Sequence, residues 1–441
     1  MANKLKFFYV NNRNILRIVR YSLISLLLLI LTWFLDYRDY DLKSYLPDIL
    51  LLSPEVTSSF LSILSGTFLT VTTFTFTTIL TVLNKYSSSF TPRIVQDFID
   101  KPNVLSLFGV FIGGFFYTVL SLFLVQNIDS DLPLISGTIA IFYAVAAMVT
   151  FMLFVKRVLS DIKVSSVIEN IYQATNRLIE DEAQKRKDSE KFDMESYDEE
   201  IKIYANKTGF LYEIDTKNLI KKLDIGKCQL IIDKKIGEYV SKGMYIANLY
   251  SFDKFPLEGE EKNKYLSELS DFLLINVNKN EYRDYHFELT KLVEIAMMAL
   301  SPGVNDPNTA IEAIDKISYL LGQLFSTDNF YLVLDENEDT KIIYNGYTVK
   351  EELFKAYAQI IHYGKEDPLV SQAILKGLYM VYIISGQSAK DDVEEYFEYV
   401  YKLCSKAQNT PLDQEALDII YDDFATNRDD KSDKDAVREK E

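Results

Sequence analysis

The stretch EIAMMALSPGVNDPNTAIEAIDKI, residues 294–317, gathers Ser301, Gly303, Asn305, Asp306 and Thr309 into one short connection, with Asp284 and His286 a little upstream. These residue types could do two kinds of chemistry. Hydroxyl, amide and carboxylate groups converging there could bind a small ligand. Asp306 would favour a cation, whereas free amides at a helix start would favour an anion. His286 beside a carboxylate could act as a general base. The structural reading of the same residues is simpler, and it is preferred. Leu292, Ile295, Ala296, Ala299 and Leu300 give one helix its apolar face, and Ala310, Ile311, Ile314 and Ile317 give the next. Pro302 and Gly303 stop the first helix, the glycine accepting positive φ. Asp306 before Pro307 starts the second as an N-cap followed by proline.

A second pattern lies in SSFLSILSGTFLTVTTFTFTTILTVLN, residues 58–84. Ser62, Gly66, Thr70, Thr73, Thr77 and Thr81 recur at three- and four-residue steps, which puts them on one helical face. Such a face could line a water-filled path. Alternatively each hydroxyl bonds a carbonyl of its own helix and the face packs against other helices. The packing reading is preferred, because no apolar run holds a central ionisable residue, the usual mark of an ion pathway. Further on, SFTPRIVQDFID places Pro92 and Arg93 at the start of a short helix, suited to the membrane interface.

Four apolar runs are long enough to span a bilayer, which takes about 20 residues of helix. They are Ile15 to Leu35, Val56 to Leu83, Val104 to Gln126 and Leu132 to Val155. The first holds Arg17 and Arg20 near its start, where long side chains snorkel to headgroups. No small-residue cleavage site follows Trp33, so this run reads as an anchor rather than a leader. Gly109, Gly113 and Gly114 in the third run, and Gly137, Ala140, Ala144 and Ala147 in the fourth, suit close helix packing. Basic residues flank the spans on one side: Lys4, Lys6, Arg13, Arg17 and Arg20, then Lys85, Arg93 and Lys101, then Lys156, Arg157 and Lys163. The other connections are acidic, with Asp36, Asp39, Asp41, Asp48 and Glu55 in one and Asp129 and Asp131 in the other. The positive-inside rule puts both termini in the cytoplasm of a multi-pass cell-membrane protein.

The expected organisation is a transmembrane helical bundle over residues 1–155, then a cytoplasmic α+β region. Within the latter, 156–200 reads as a helical stalk and linker and 201–255 as a small β-rich domain. Residues 256–407 read as mainly helical, with a β-hairpin at 329–348, and 408–441 as a charged, disordered tail. IGEYVSKGMYIANLY has the glycine spacing of the small β-barrel called a barrel-sandwich hybrid. A net charge of −17 on 441 residues argues against nucleic-acid binding, which needs a basic face. Two cysteines, Cys228 and Cys404, cannot build a disulfide framework or a four-ligand metal site, and His286 and His362 are too few to suggest a histidine-based centre, so neither metal nor cofactor is expected.

ALSPGVNDPNTA resembles the ALSPG-x-NDP-x-TA signature of a family of bacterial predicted multi-pass membrane proteins, a domain of unknown function. RDYHFELTKLVEIA, SFTPRIVQDFID and LFGVFIGGFFYTVL extend the likeness over most of the chain. The family shows an Arg-Thr pair shortly before the position of Asp284. Lys279 and Asn280 stand there instead, so no role is carried over from that arginine. The resemblance implies a location in the cytoplasmic membrane and supplies no activity. Three functions are therefore weighed. The first is an oligomeric channel or transporter with a cytoplasmic regulatory domain, whose partners are lipid, copies of the chain and an ion or small molecule. The second is a membrane-anchored sensor or scaffold. The third is an enzyme built on Asp284, His286, Asn305 and Asp306.

Overall fold

The computed structural model describes residues 13–37, 45–89, 91–99, 102–126, 133–161, 163–189, 197–223, 226–277, 285–327, 330–337 and 339–438. Asp284, Lys279 and Asn280 lie outside the described residues, as do Lys4, Lys6, Lys101, Asp39, Asp41, Asp129, Asp131 and most of the linker before residue 197. The chain divides into two compact units, residues 1–166 and 167–441.

The first unit is helical. Its elements are α1 (Arg13–Tyr37), α2 (Pro54–Ser89), the short α3 (Pro92–Ile99), α4 (Pro102–Val125) and α5 (Ser136–Asp161). Four segments within them are long and apolar enough to cross a membrane: Val19–Tyr37, Pro54–Lys85, Ser106–Val125 and Ser136–Lys156. The third, in α4, is the most enclosed, because its glycines let the other helices close on it. Gly109 faces the Tyr21 side chain, Gly113 faces Ser25, and Gly114 sits against the rings of Phe68 and Tyr143. At the end of α1, Asp36 accepts hydrogen bonds from the amides of Ile135 (2.8 Å) and Ser136 (3.2 Å), so it caps the start of α5. Beside it Leu52 and Leu134 form an antiparallel bridge, and the Thr138 hydroxyl donates to the Leu50 carbonyl at 2.8 Å.

The second unit is α+β. It opens with most of α6 (Val164–Asp188). There follow β1 (Glu199–Tyr204), β2 (Gly209–Ile214), α7 (Thr216–Lys222), β3 (Cys228–Ile232), β4 (Tyr239–Val240), β5 (Tyr245–Ser251), α8 (Gly259–Ser270) and β6 (Leu273–Asn276). After them come α9 (Tyr285–Ala299), α10 (Pro307–Leu324), β7 (Tyr331–Glu336), β8 (Thr340–Asn345), α11 (Val349–Gly364), α12 (Pro368–Ile384), α13 (Gln387–Ala407) and α14 (Pro411–Arg438).

The strands form two open sheets, β1-β5-β3-β8-β7 and β4-β2-β6. The barrel-sandwich expectation is therefore corrected: neither sheet closes. The reason lies in long-range pairing. β3 pairs in parallel with β8, from Cys228 opposite Thr340 to Ile232 opposite Tyr344, which draws the later hairpin into the first sheet. β2 pairs with β6, which takes it into the second. Leu211, Leu230, Ile232, Leu249, Leu273 and Ile342 share one core under both sheets with Leu219 of α7 and Leu269 of α8.

The helices of this unit start where the sequence offers caps. Asp306 precedes Pro307, and Asp367 accepts from the Leu369 and Val370 amides ahead of α12. Thr348 and Glu351 complete a capping box at α11. The segment read as a charged tail carries α14, whose Leu417, Ile420 and Phe424 are buried. These apolar positions fall at helical spacing, a stripe hidden by a charged average.

Candidate functional site

The SPG–NDP turn joins α9 to α10. α9 ends at Ala299, and the chain returns through hydrogen bonds from the Asn305 amide to Ser301 O (2.9 Å) and from the Asp306 amide to Ala299 O (2.9 Å). Asn305, at φ 48°, takes the left-handed conformation expected of Gly303. Asparagine tolerates that region because its short polar side chain can bond locally. Gly303 is exposed, with open space around its Cα. The Ser301 hydroxyl donates to Met298 O at 2.6 Å. Asp306 accepts from the Thr309 amide at 3.2 Å and from the Thr309 hydroxyl at 2.6 Å. The hydroxyl and the amide together hold the Asp306 carboxyl below its usual range. The polar groups of this turn thus serve the ends of two helices.

His286 lies elsewhere. It stands on the first turn of α9, a helix of 15 residues. At about 1.5 Å per residue it is roughly 20 Å from the turn at the other end. The constellation of His286 with Asn305 and Asp306 is therefore not assembled, because a whole helix separates its members. His286 instead joins a buried ionic cluster. Its Nε2 lies 3.1 Å from Glu352 Oε1, and its ring stacks on Tyr285 at 4.3 Å and meets Tyr347 edge-on at 4.2 Å. The Tyr285 hydroxyl donates to the same Glu352 oxygen at 2.7 Å. Arg186, at 1 % exposure, reaches Tyr285 Oη at 3.4 Å through Nη2 and Glu182 Oε1 at 3.1 Å through Nε. Burial pushes the Glu352 carboxyl up, but His286, Tyr285 and Arg186 outweigh it and hold the group below the usual range. Burial, reinforced by the Glu352 charge, raises the Tyr285 phenol well above its ordinary value.

Spacing gave no sign of Arg186, Tyr285 or Glu352 as a set. Arg186 sits in the charged run EAQKRKD, and Glu352 follows a capping-box glutamate, so each looks like a solvated residue. Among the described residues, no group of three or more His, Cys, Asp or Glu side chains is arranged to hold a metal. A shallow groove between the starts of α12 and α14, lined by Leu369, Gln372, Leu412 and Ile419, contains none of the residues singled out.

In the helical unit, Ser62, Gly66, Thr70, Thr73, Thr77 and Thr81 are all exposed, on the opposite side of α2 from its buried Leu61, Phe68, Ile79 and Val82. The four threonine hydroxyls turn back on the helix. Thr70 donates to Gly66 O (2.9 Å), Thr73 to Leu69 O (3.0 Å), Thr77 to Thr73 O (3.1 Å) and Thr81 to Thr77 O (2.9 Å). Ser59 and Asn84 extend the stripe at the same steps and are also exposed. Continuing the three- and four-residue steps in both directions would have found them. The exposed faces of α1 and α5 are different in kind. Leu23, Leu27, Ile30 and Leu31 make up the one, and Phe142, Val145, Met152 and Leu153 the other. Pro92 and Arg93, both exposed, begin α3, with Ile94 buried behind them.

Residues 12–380 match the family described as "Predicted membrane protein (DUF2254)", and the chain belongs to that family. It is 23% identical over 317 residues to uncharacterized proteins of Mycobacterium tuberculosis and Mycobacterium bovis. The match covers 69% of this chain and spans about 60% of the length of those curated relatives. No solved structure matches.

Proposed function

Taking membership of that membrane-protein family as the premise, we propose that copies of this chain assemble into a channel or transporter. In this reading the hydroxyl stripe of α2 lines the path and the α+β unit regulates it from the cytoplasm. One observation carries the reading. Among the described residues, α2 is the one candidate span whose exposed face carries a line of polar side chains, from Ser59 to Asn84, interrupted at Gly66. Exposed threonines with satisfied hydroxyls are tolerated in lipid, so cost alone does not explain them. Their alignment along a whole span is what a shared axis between subunits would require. The stripe between its ends holds no charged residue, so the path would offer weak dipoles rather than fixed charge.

Flux from liposomes holding the purified chain tests this. Cysteines placed at Thr70, Thr73 and Thr77 should be modified by small aqueous thiol reagents, and the modification should block flux. Absence of flux under voltage, tension and pH steps, or flux indifferent to that modification, overturns the reading. Cytoplasmic termini belong to the same proposal. Cys228 and Cys404 are buried, so a cysteine at the exposed Lys242 is the better topological probe.

A sensor or scaffold is the second reading. It is favoured by α4, whose glycine contacts hold the span helices of one copy together, and by the lack of any Asp, Glu, Lys, Arg or His near the middle of a candidate span. Flux that is absent while the α+β unit still binds a metabolite or protein would support it.

A further inference from the structure

We propose that α6 is a coupling arm and that the buried Arg186–Tyr285–Glu352 cluster is the fastening that fixes its far end. α6 follows α5 directly in the chain, and α5 contains the last candidate span. Along its length α6 is attached to the α+β unit by side chains. Glu169 pairs with Lys316 at 2.9 Å, the rings of Tyr172 and Tyr319 lie 6.2 Å apart, and Val167, Ile168, Ile171 and Ile179 are buried.

Its last turn is different. Lys185, Lys187 and Asp188 are exposed, whereas Arg186 turns inward to 1 % exposure. Through Tyr285 the guanidinium reaches Glu352, fully buried on the first turn of α11, which His286 approaches from α9. Among the described residues Glu352 Oε2 has no hydrogen-bond partner, so the carboxylate depends on the groups around its other oxygen. One residue beyond the helix, the buried Ser189 hydroxyl accepts from the Val333 amide of the edge strand β7 at 3.0 Å.

A greasy contact at this end would tolerate sliding by a fraction of a turn. A buried ionic cluster resists it, since displacement parts the Arg186 guanidinium from Tyr285 and Glu352 and leaves each buried charge with only its nearer partner, Glu182 or His286. Such clusters add little net stability over an apolar replacement, but losing one member is severe. The arrangement suits a contact that must be either made or broken. Only the consequence for flux rests on the channel reading; the fastening stands apart from it.

Hydrogen–deuterium exchange on the full chain in lipid nanodiscs tests the proposal. Glu352→Gln should speed exchange at least ten-fold across residues 164–189 while α10 stays protected. The paired variant R186M/E352L, which removes both charges, should restore slow exchange in α6. Unchanged exchange in E352Q overturns the fastening. So does a rise shared equally by α6 and α10, which would make Glu352 an ordinary core residue, and so does failure of the paired variant to restore protection. Liposome flux is read in parallel. Loss of flux in the unaltered chain removes the channel reading and leaves the exchange result standing.

Discussion

The hydroxyls of α2 and the charges around Arg186 are both polar groups that bond within the protein, and they find their partners at opposite range. Thr70, Thr73, Thr77 and Thr81 each donate to a carbonyl one turn back, so each is satisfied by its own helix. That solution needs no tertiary structure and leaves the side chains on the outer face. Arg186 and Tyr285 are 99 positions apart and Tyr285 and Glu352 are 67 apart, so their contacts exist only once α6, α9 and α11 have packed. Local satisfaction makes a helix face that can meet lipid, water or another subunit. Long-range satisfaction fixes elements to one another. Substitutions should therefore be mild on the first and severe where packing is long-range.

The largest effect should come from a purely packed position, which sets the scale for the rest. Phe397 is fully buried and stacks on Phe424 at 3.9 Å. Phe397→Ala should cost about 3–5 kcal/mol, read as a lowered thermal midpoint of the α+β unit. The helical unit has its own long-range contacts and is not exempt. A Cβ at Gly114 would lie 2.8 Å from the rings of Phe68 and Tyr143. Gly114→Leu should cost about 1–3 kcal/mol through overpacking, measured by thermal unfolding in detergent. If it were silent, the helices would not be closed on α4, and the division between local and long-range would fail.

What could be read beforehand divides along the same line. The four spans, the threonine face and the caps at Asp306 and Asp367 are written in spacing and in residue pairs a few positions apart. The parallel pairing of β3 with β8 is not, because strands over a hundred residues apart carry no mutual mark in one sequence. For that reason the β-rich segment looked like a closed barrel and proved to be parts of two open sheets. Asp36 shows a subtler loss. As a charge in a connection it indicated topology. As a carboxylate accepting from Ile135 and Ser136 it caps a helix 99 residues away, which no local rule could foresee.

Asp306 is a local cap at a connection between two buried helices. Asp306→Ala should cost about 1 kcal/mol, while Asp306→Asn, which keeps an acceptor, should cost less. The acid dependence has a definite sign. The Thr309 hydroxyl and amide lower this carboxyl below the usual aspartate value of about 3.9. Its stabilisation is therefore present above that value and lost as pH falls through the lower folded-state value. Thermal unfolding between pH 5 and pH 2 should show a shallower acid loss in Asp306→Ala than in the unaltered chain.

The smallest stability effect should come from the threonine stripe, and there a null result is informative. Valine is close to threonine in volume, and the carbonyls at Leu69 and Thr73 keep their ordinary helical amide partners when the hydroxyl is gone. The double change T73V/T77V should therefore stay within about 0.5 kcal/mol of the unaltered chain. Liposome flux is a separate readout of the same protein. Flux that falls while the unfolding midpoint holds would place the hydroxyls where a permeant species meets them, since the fold would have lost nothing else. Flux and stability both unchanged would put the stripe against lipid or another helix, and local satisfaction would then be its whole role.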